Sequence, residues 1–169
     1  KEIPGCIAWD FPTEVVMNKE LDIRLEKLAF NKTIPFCYSC YKDAPLGVCG
    51  SCHSDDLMRH LPGCGVEFGT DWVLKELLSE NLETPCLEEL FEQSVDDCYG
   101  EEVQIGWLNL NPAQVIKNQD PISWDIAKSE YIDSLVEDEQ LVTFDNGGSY
   151  YWVYEVEGFL DENESEMAS

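Results

Sequence analysis

Cys37-Tyr-Ser-Cys40 and Cys49-Gly-Ser-Cys52 are two Cys-x-x-Cys motifs with eight residues between them. Each motif can aim two thiolates at one point, and two such turns facing each other form a tetrahedral cage of four sulfurs. Structural Zn²⁺ prefers this set of ligands. The spacing therefore predicts a zinc site held by Cys37, Cys40, Cys49 and Cys52. Iron in the same cage is the alternative metal.

The segment from about residue 34 to residue 57 resembles a short zinc ribbon. Such ribbons occur in small archaeal transcription factors, in RNA-polymerase-associated proteins and in rubredoxin-like modules. The most similar part is Cys49-Gly-Ser-Cys52-His-Ser-Asp-Asp-Leu57. Tyr41 and His53 follow the second cysteine of each motif, where these ribbons usually have Gly. The resemblance implies a bound metal, but not a particular task, because ribbons recur in unrelated proteins.

Other arrangements of the cysteines remain open. His60-x-x-x-Cys64 has finger-like spacing after Cys49-x-x-Cys52, and Cys49-Gly-Ser-Cys52-His53 matches the attachment motif of c-type haem. The chain has eight cysteines, an even number that also permits a disulfide framework. In the zinc interpretation, the cysteines outside the two motifs are expected to be small buried hydrophobic residues: Cys6, Cys64, Cys86 and Cys98.

The charge of the chain is concentrated in its second half. The net charge is −25, and residues 1–75 contribute only −3, with 11 acidic and 8 basic residues. Residues 76–169 contain 24 acidic residues, and their only basic ones are Lys117 and Lys128. A surface this negative repels phosphate backbones and anionic lipids, and attracts basic proteins or cations. We therefore expect no direct binding of nucleic acid or membrane. Solubility alone is the competing explanation of the charge.

Composition points to a folded, cytoplasmic protein. The chain has 169 residues, of which 44% are hydrophobic, enough to build a core. No apolar stretch approaches the ~20 residues that span a bilayer, and no signal peptide is visible. Paired Cys-x-x-Cys motifs in such a chain are typical of a reducing compartment.

Local patterns predict an α+β fold: a small mixed or antiparallel sheet, several short helices and the inserted zinc ribbon. Capping residues, prolines and leucines at helical spacing predict helices at about 19–30, 71–79, 86–95, from Pro112 and at 121–136, with a single turn at 57–61. Strands are predicted at 5–9 and 103–110, and a hairpin pairs 141–144 with 150–156 around Asp145-Asn-Gly-Gly148. We expect one domain over residues 1–160 with the ribbon at 34–57, followed by an acidic, frayed tail at 161–169.

Catalytic candidates are few. The two histidines, His53 and His60, lie near the metal loops, where packing or support of a ligand is the usual role. Carboxylate pairs such as Glu88/Glu89 and Asp96/Asp97 are expected to form a solvated face. No phosphate-binding, dinucleotide-binding or nucleophile-elbow motif is present. Whether the chain is an enzyme is left open, with the balance against it.

These observations predict a zinc-stabilised, non-enzymatic adaptor or regulatory protein that binds a basic protein partner through its acidic C-terminal half. One alternative is a DNA mimic that inhibits a nucleic-acid-binding or defence protein. Another is an enzyme with a structural zinc site.

Overall fold

A computed structural model of the chain describes residues 19–145 and 147–167. Within these ranges it has six helices and small antiparallel sheets, which confirms the α+β fold. The predicted strand at residues 5–9 lies outside the described residues. In chain order the elements are α1 (Lys19–Lys32), β1 (Ile34–Cys37), β2 (Lys42–Asp43), β3 (Met58–Leu61), β4 (Gly65–Glu67), α2 (Asp71–Asn81), α3 (Leu87–Tyr99), β5 (Val103–Ile105), β6 (Leu108–Leu110), α4 (Pro112–Gln119), α5 (Pro121–Glu137), β7 (Leu141–Val142), β8 (Tyr151–Trp152) and α6 (Val153–Met167).

The cysteine segment is part of a four-stranded antiparallel sheet with the order β2-β1-β3-β4. The predicted helical turn at 57–61 is wrong, because residues 58–61 form β3 and pair with β1 through Pro35 and Arg59. The Arg59 guanidinium donates to the Thr33 hydroxyl (2.9 Å) and to the Phe30 carbonyl (2.7 Å). These contacts, made with residues nearly thirty positions away, hold the segment extended.

The larger core lies between α1, α2 and α6. Its members include Leu25, Leu28, Val73 and Leu78, and Leu61 joins it from the four-stranded sheet. The predicted strand at 150–156 is only partly present, because β8 ends at Trp152 and α6 begins at Val153. The reason is burial at helical spacing: Val156 and Leu160, four residues apart, are both fully buried in this core.

Residues 161–167 continue α6 in the region where the sequence suggested a frayed tail. The Arg24 guanidinium of α1 binds Asp161 (2.6 Å) and Glu164 (3.1 Å), and Asn163 is buried. Contacts with α1 thus hold the end of the chain in helical form as far as residue 167.

The second core lies in the acidic half, between α3, α4 and α5. Phe91 packs edge-on against Trp124, with ring centroids 4.6 Å apart, and Val95 and Ala113 complete the buried cluster. The predicted single strand at 103–110 is instead a hairpin, because Gly106 adopts a φ of 65° and reverses the chain between β5 and β6.

The helix starts show which local signals the fold uses. The Asn111 and Asp120 side chains accept the backbone N–H groups of Gln114 (2.8 Å) and Ser123 (3.1 Å), and each is followed by Pro. Thr70 precedes α2 as predicted, but its side chain makes no capping hydrogen bond. Among the described residues, no helix combines the length and the apolar character needed to cross a bilayer.

Candidate metal centre

The structure brings the four predicted cysteines together. One sulfur from each of Cys37, Cys40, Cys49 and Cys52 lies within 4.8 Å of the other three, and the sulfurs of Cys37 and Cys52 are 3.6 Å apart. Tetrahedral ligands at a metal–sulfur distance of ~2.3 Å would be separated by about 3.8 Å. The cluster thus has the donor set and nearly the spacing that a metal ion needs, and it could bind one.

The sheet positions these thiols. Cys37 ends β1, and Cys40 lies in the turn between β1 and β2, whose pairing places Cys37 opposite Lys42. The second motif is closed by two backbone hydrogen bonds of 2.9 Å, from Cys49 N–H to the Ser54 carbonyl and from His53 N–H to the Cys49 carbonyl. Cys37 and Cys49 are buried, whereas Cys52 is exposed.

Backbone dipoles tune the first cysteine of each motif. The N–H groups of Cys52 and Ser51 face the Cys49 sulfur and lower the pKa of that thiol to about 6. The Cys40 N–H acts in the same way on Cys37, but burial and the neighbouring thiols outweigh it and raise the Cys37 pKa. The Cys52 and Cys49 thiols raise the pKa of Cys40 to about 12. The Cys49 thiol is therefore easier to ionise than those of Cys37 and Cys40, and a cation at the centre would favour the thiolates of the others.

The residue after each motif shares an uncommon conformation. Tyr41 has a φ of 56° and His53 a φ of 59°, in the left-handed region that favours glycine. These are the two positions where zinc ribbons usually have Gly. The two motifs thus have matching backbone turns although their sequences after the second cysteine differ.

His60 and Cys64 are not members of the four-cysteine cluster. The His60 Nδ1 lies 2.9 Å from the Asp43 carboxylate, and its ring packs edge-on against Phe36. A sulfur or oxygen from each of Cys64, Glu76 and Glu80 lies within 4.8 Å of the other two, in a separate group. The finger-like alternative ligand set is therefore not assembled. All seven described cysteines are free thiols, and Cys6 lies outside the described residues. The prediction that Cys64, Cys86 and Cys98 are buried is wrong, because all three are exposed.

A second polar site, in the acidic half, was not anticipated. The Glu88 carboxylate contacts Lys117 Nζ at 2.7 Å, Lys128 Nζ at 2.6 Å and the indole N–H of Trp124 at 2.9 Å. The two ammonium groups and the indole N–H lower the Glu88 pKa to about 2. The sequence alone predicted a solvated face for Glu88, because partners about 30 to 40 residues away in the chain leave no local pattern. The one local indication of a stabilised carboxylate was the place of Glu88 in the first turn of α3, at the positive end of the helix dipole.

Comparison with models of known protein families gives no match, and comparisons with curated proteins and with solved structures give none either. The functional argument therefore rests on the cysteine cluster and on the charges of the acidic half.

Proposed function

We propose that this protein is a zinc-stabilised, non-enzymatic adaptor or regulatory protein that binds a basic protein partner through residues 76–169. The observation that carries the proposal is the ion pairing of the two lysines in this half. Lys117 binds Glu88 and Glu92, and Lys128 binds Glu88 and Asp125, all within 3.3 Å. Both cations are paired within this half, and basic residues of the first half pair only with Asp145, Asp161 and Glu164 among the described residues of this half, so most of the remaining carboxylates carry an uncompensated negative charge.

Zn²⁺ suits the cysteine cluster better than Mg²⁺ or Ca²⁺, and iron is the alternative metal for the same cage. Four thiolates at tetrahedral spacing are the ligand set of structural zinc sites, whereas Mg²⁺ and Ca²⁺ prefer oxygen ligands. A metal bound by four cysteines keeps no open position for substrate or water, so the site supports folding rather than catalysis. In this role the metal holds β1, β2 and the loop before β3 together.

One exposed face of α5 shows how the acidic surface is organised. Glu130, Asp133 and Glu137 are spaced by three and four residues, so they lie on the same side of the helix, and all three are exposed. A basic partner could be attracted by such a row over about a Debye length, roughly 10 Å at 0.1 M salt. Salt sensitivity is therefore the expected mark of binding.

The experiment is a pull-down from a lysate of the source cells with the zinc-loaded protein as bait, at low and raised salt. A matched pair of variants removes three negative charges each. The α5 variant changes the acidic half and carries Glu130→Gln, Asp133→Asn and Glu137→Gln. The control variant replaces three exposed acidic residues of the first half by neutral ones: Glu20→Gln, Glu26→Gln and Glu67→Gln. We expect a basic partner that is retained by the control, weakened in the α5 variant and released by salt.

The same experiment separates the alternatives. Displacement by heparin of a partner that normally binds nucleic acid would favour the narrower hypothesis of a DNA mimic. Recovery of no specific partner would leave solubility as the explanation of the charge. Direct, saturable binding of duplex DNA by the whole chain would contradict the proposal, because the acidic half should repel phosphates.

A further inference from the structure

The β5–β6 hairpin has one apolar and one polar face. Val103 pairs with Leu110 and Ile105 with Leu108, whereas Gln104 pairs with Asn109. Residues directly opposite each other in an antiparallel pair lie on the same face, and the faces alternate along each strand. The four aliphatic residues therefore share one side of the hairpin, which we call the hairpin apolar face: Val103, Ile105, Leu108 and Leu110.

The hairpin apolar face is open to solvent. Ile105 is 62% exposed, Leu108 50% and Val103 38%, and Trp107 in the connecting turn is 91% exposed. A two-stranded hairpin is only marginally stable in water unless its apolar side is covered. Exposed apolar patches of this kind mark interaction sites, and Trp is among the residues that dominate binding energy.

The hairpin is anchored at its base next to carboxylates. The Asn111 side-chain amide donates to the Glu101 carbonyl (3.1 Å) and to the Asp96 carboxylate (3.3 Å). Glu102 directly precedes β5. Carboxylates of α3 and of the segment before β5 therefore lie at the base of the hairpin.

Charge decides which occupant fits this face. A second copy of the chain would bring another −25 and the same carboxylates at the hairpin base, so like charges would oppose self-association. The lysines of this half do not relieve the repulsion, because both already pair with carboxylates of the same half. A partner with an apolar surface bordered by Lys or Arg would offer apolar contacts to the aliphatic side chains and opposite charges to the carboxylates.

We propose that the hairpin apolar face, with Trp107 at its tip, is the contact surface for the basic protein partner. This inference rests on the proposed function and adds the surface and the chemistry of the partner: an apolar stripe flanked by basic residues. Trp107 packs on the stripe, and the carboxylates near the hairpin base pair with its basic border.

The test uses a fluorescently labelled synthetic peptide of Leu and Lys that forms an amphipathic helix, with a shuffled peptide of the same composition as its control. Anisotropy titrations against the zinc-loaded full chain should show tighter binding of the ordered peptide, weakened by salt. Trp107→Ala should reduce the affinity by at least about tenfold, because a central Trp commonly dominates an interface. Ile105→Thr, which keeps a β-branched residue in the strand, should reduce it several-fold.

Matched control variants lie on α5, where Ile122 and Ile126 are 74% and 56% exposed. Ile122→Ala and Ile126→Thr remove exposed apolar surface of the same half and should leave the peptide affinity unchanged within about twofold, as expected for positions outside the interface. Circular dichroism of each variant should match the parent, since none of the substituted side chains is buried.

The outcomes separate this inference from the proposed function. Equal, salt-sensitive binding of the ordered peptide by the parent and by Trp107→Ala would overturn the hairpin as the contact surface and leave the proposed function standing. No preference for the ordered over the shuffled peptide would also overturn the inference, while the pull-down of the basic partner would still decide the proposed function. Concentration-dependent dimerisation that Trp107→Ala abolishes would assign the face to a second copy and overturn the basic partner as its occupant.

Discussion

The left-handed residue after the second cysteine motif yields a quantitative prediction. His53 has a φ of 59° and is exposed. A side chain in this conformation costs about 1–2 kcal/mol, which glycine avoids. Glycine in turn lowers the free energy of unfolding by about 0.4–1 kcal/mol, because it increases the entropy of the unfolded chain. His53→Gly should therefore stabilise the folded metal loop by about 0.5–1 kcal/mol.

The assay is zinc affinity, measured by competition with a chromophoric chelator, because the loop is stabilised by the metal and in turn stabilises its binding. The expected gain is about two- to fivefold, from the tenfold change in affinity that 1.4 kcal/mol produces. Ser51→Gly is the matched control in the same motif. Since its φ is not positive, glycine there brings only the entropic cost, and the affinity should fall.

The comparison with Tyr41 refines the test. Tyr41 has a similar φ of 56°, but its ring packs edge-on against Phe36, with centroids 5.4 Å apart. Such a pair contributes about 0.5–1.5 kcal/mol, so Tyr41→Gly should gain little or lose affinity. Weaker zinc binding by His53→Gly than by Ser51→Gly would refute the reasoning, because the imidazole would then contribute more than its backbone strain costs.

Three further expectations follow from the geometry. Metal analysis of protein purified without chelator should find about one zinc per chain. Cys49→Ser should lose the zinc and keep most of the helical circular dichroism signal, because the helices have their own cores. Loss of all helical signal would instead show that metal binding and global folding are one event. Glu88→Gln should lower the free energy of unfolding by about 1–2 kcal/mol at neutral pH, a value reduced for solvent screening since the side chain is 33% exposed. The parent should lose this contribution as pH falls from the usual glutamate pKa of 4.5 towards the folded value of about 2, so a parent–variant difference that persists at pH 2 in urea titrations would contradict it. Gly148→Ala should lower the melting temperature, since its Cβ would lie 2.7 Å from one carboxylate oxygen of Asp145, whose other oxygen accepts the Ser149 N–H. An unchanged melting temperature would show that this loop can rearrange at no cost.

The sequence predicted the parts of the fold that depend on near neighbours. The helices from Lys19, Asp71, Pro112 and Pro121 begin where predicted, because prolines and short-range apolar spacing act within a few residues. The four cysteines meet for the same reason, since their two turns lie close together in the chain, one before and one after β2.

Tertiary contacts decided the rest. Residues 58–61 are a strand because β1 pairs with them, although their leucine and methionine spacing also suits a helical turn. Val153 begins a helix because Val156 and Leu160 are buried against α1 and α2, which overrides the aromatic and β-branched character of the segment. Glu88 became the centre of an ion-pair network through residues about 30 to 40 positions away. Local sequence thus determined where most of the helices begin and how the two cysteine motifs turn, whereas burial and long-range pairing determined which of two compatible local structures formed.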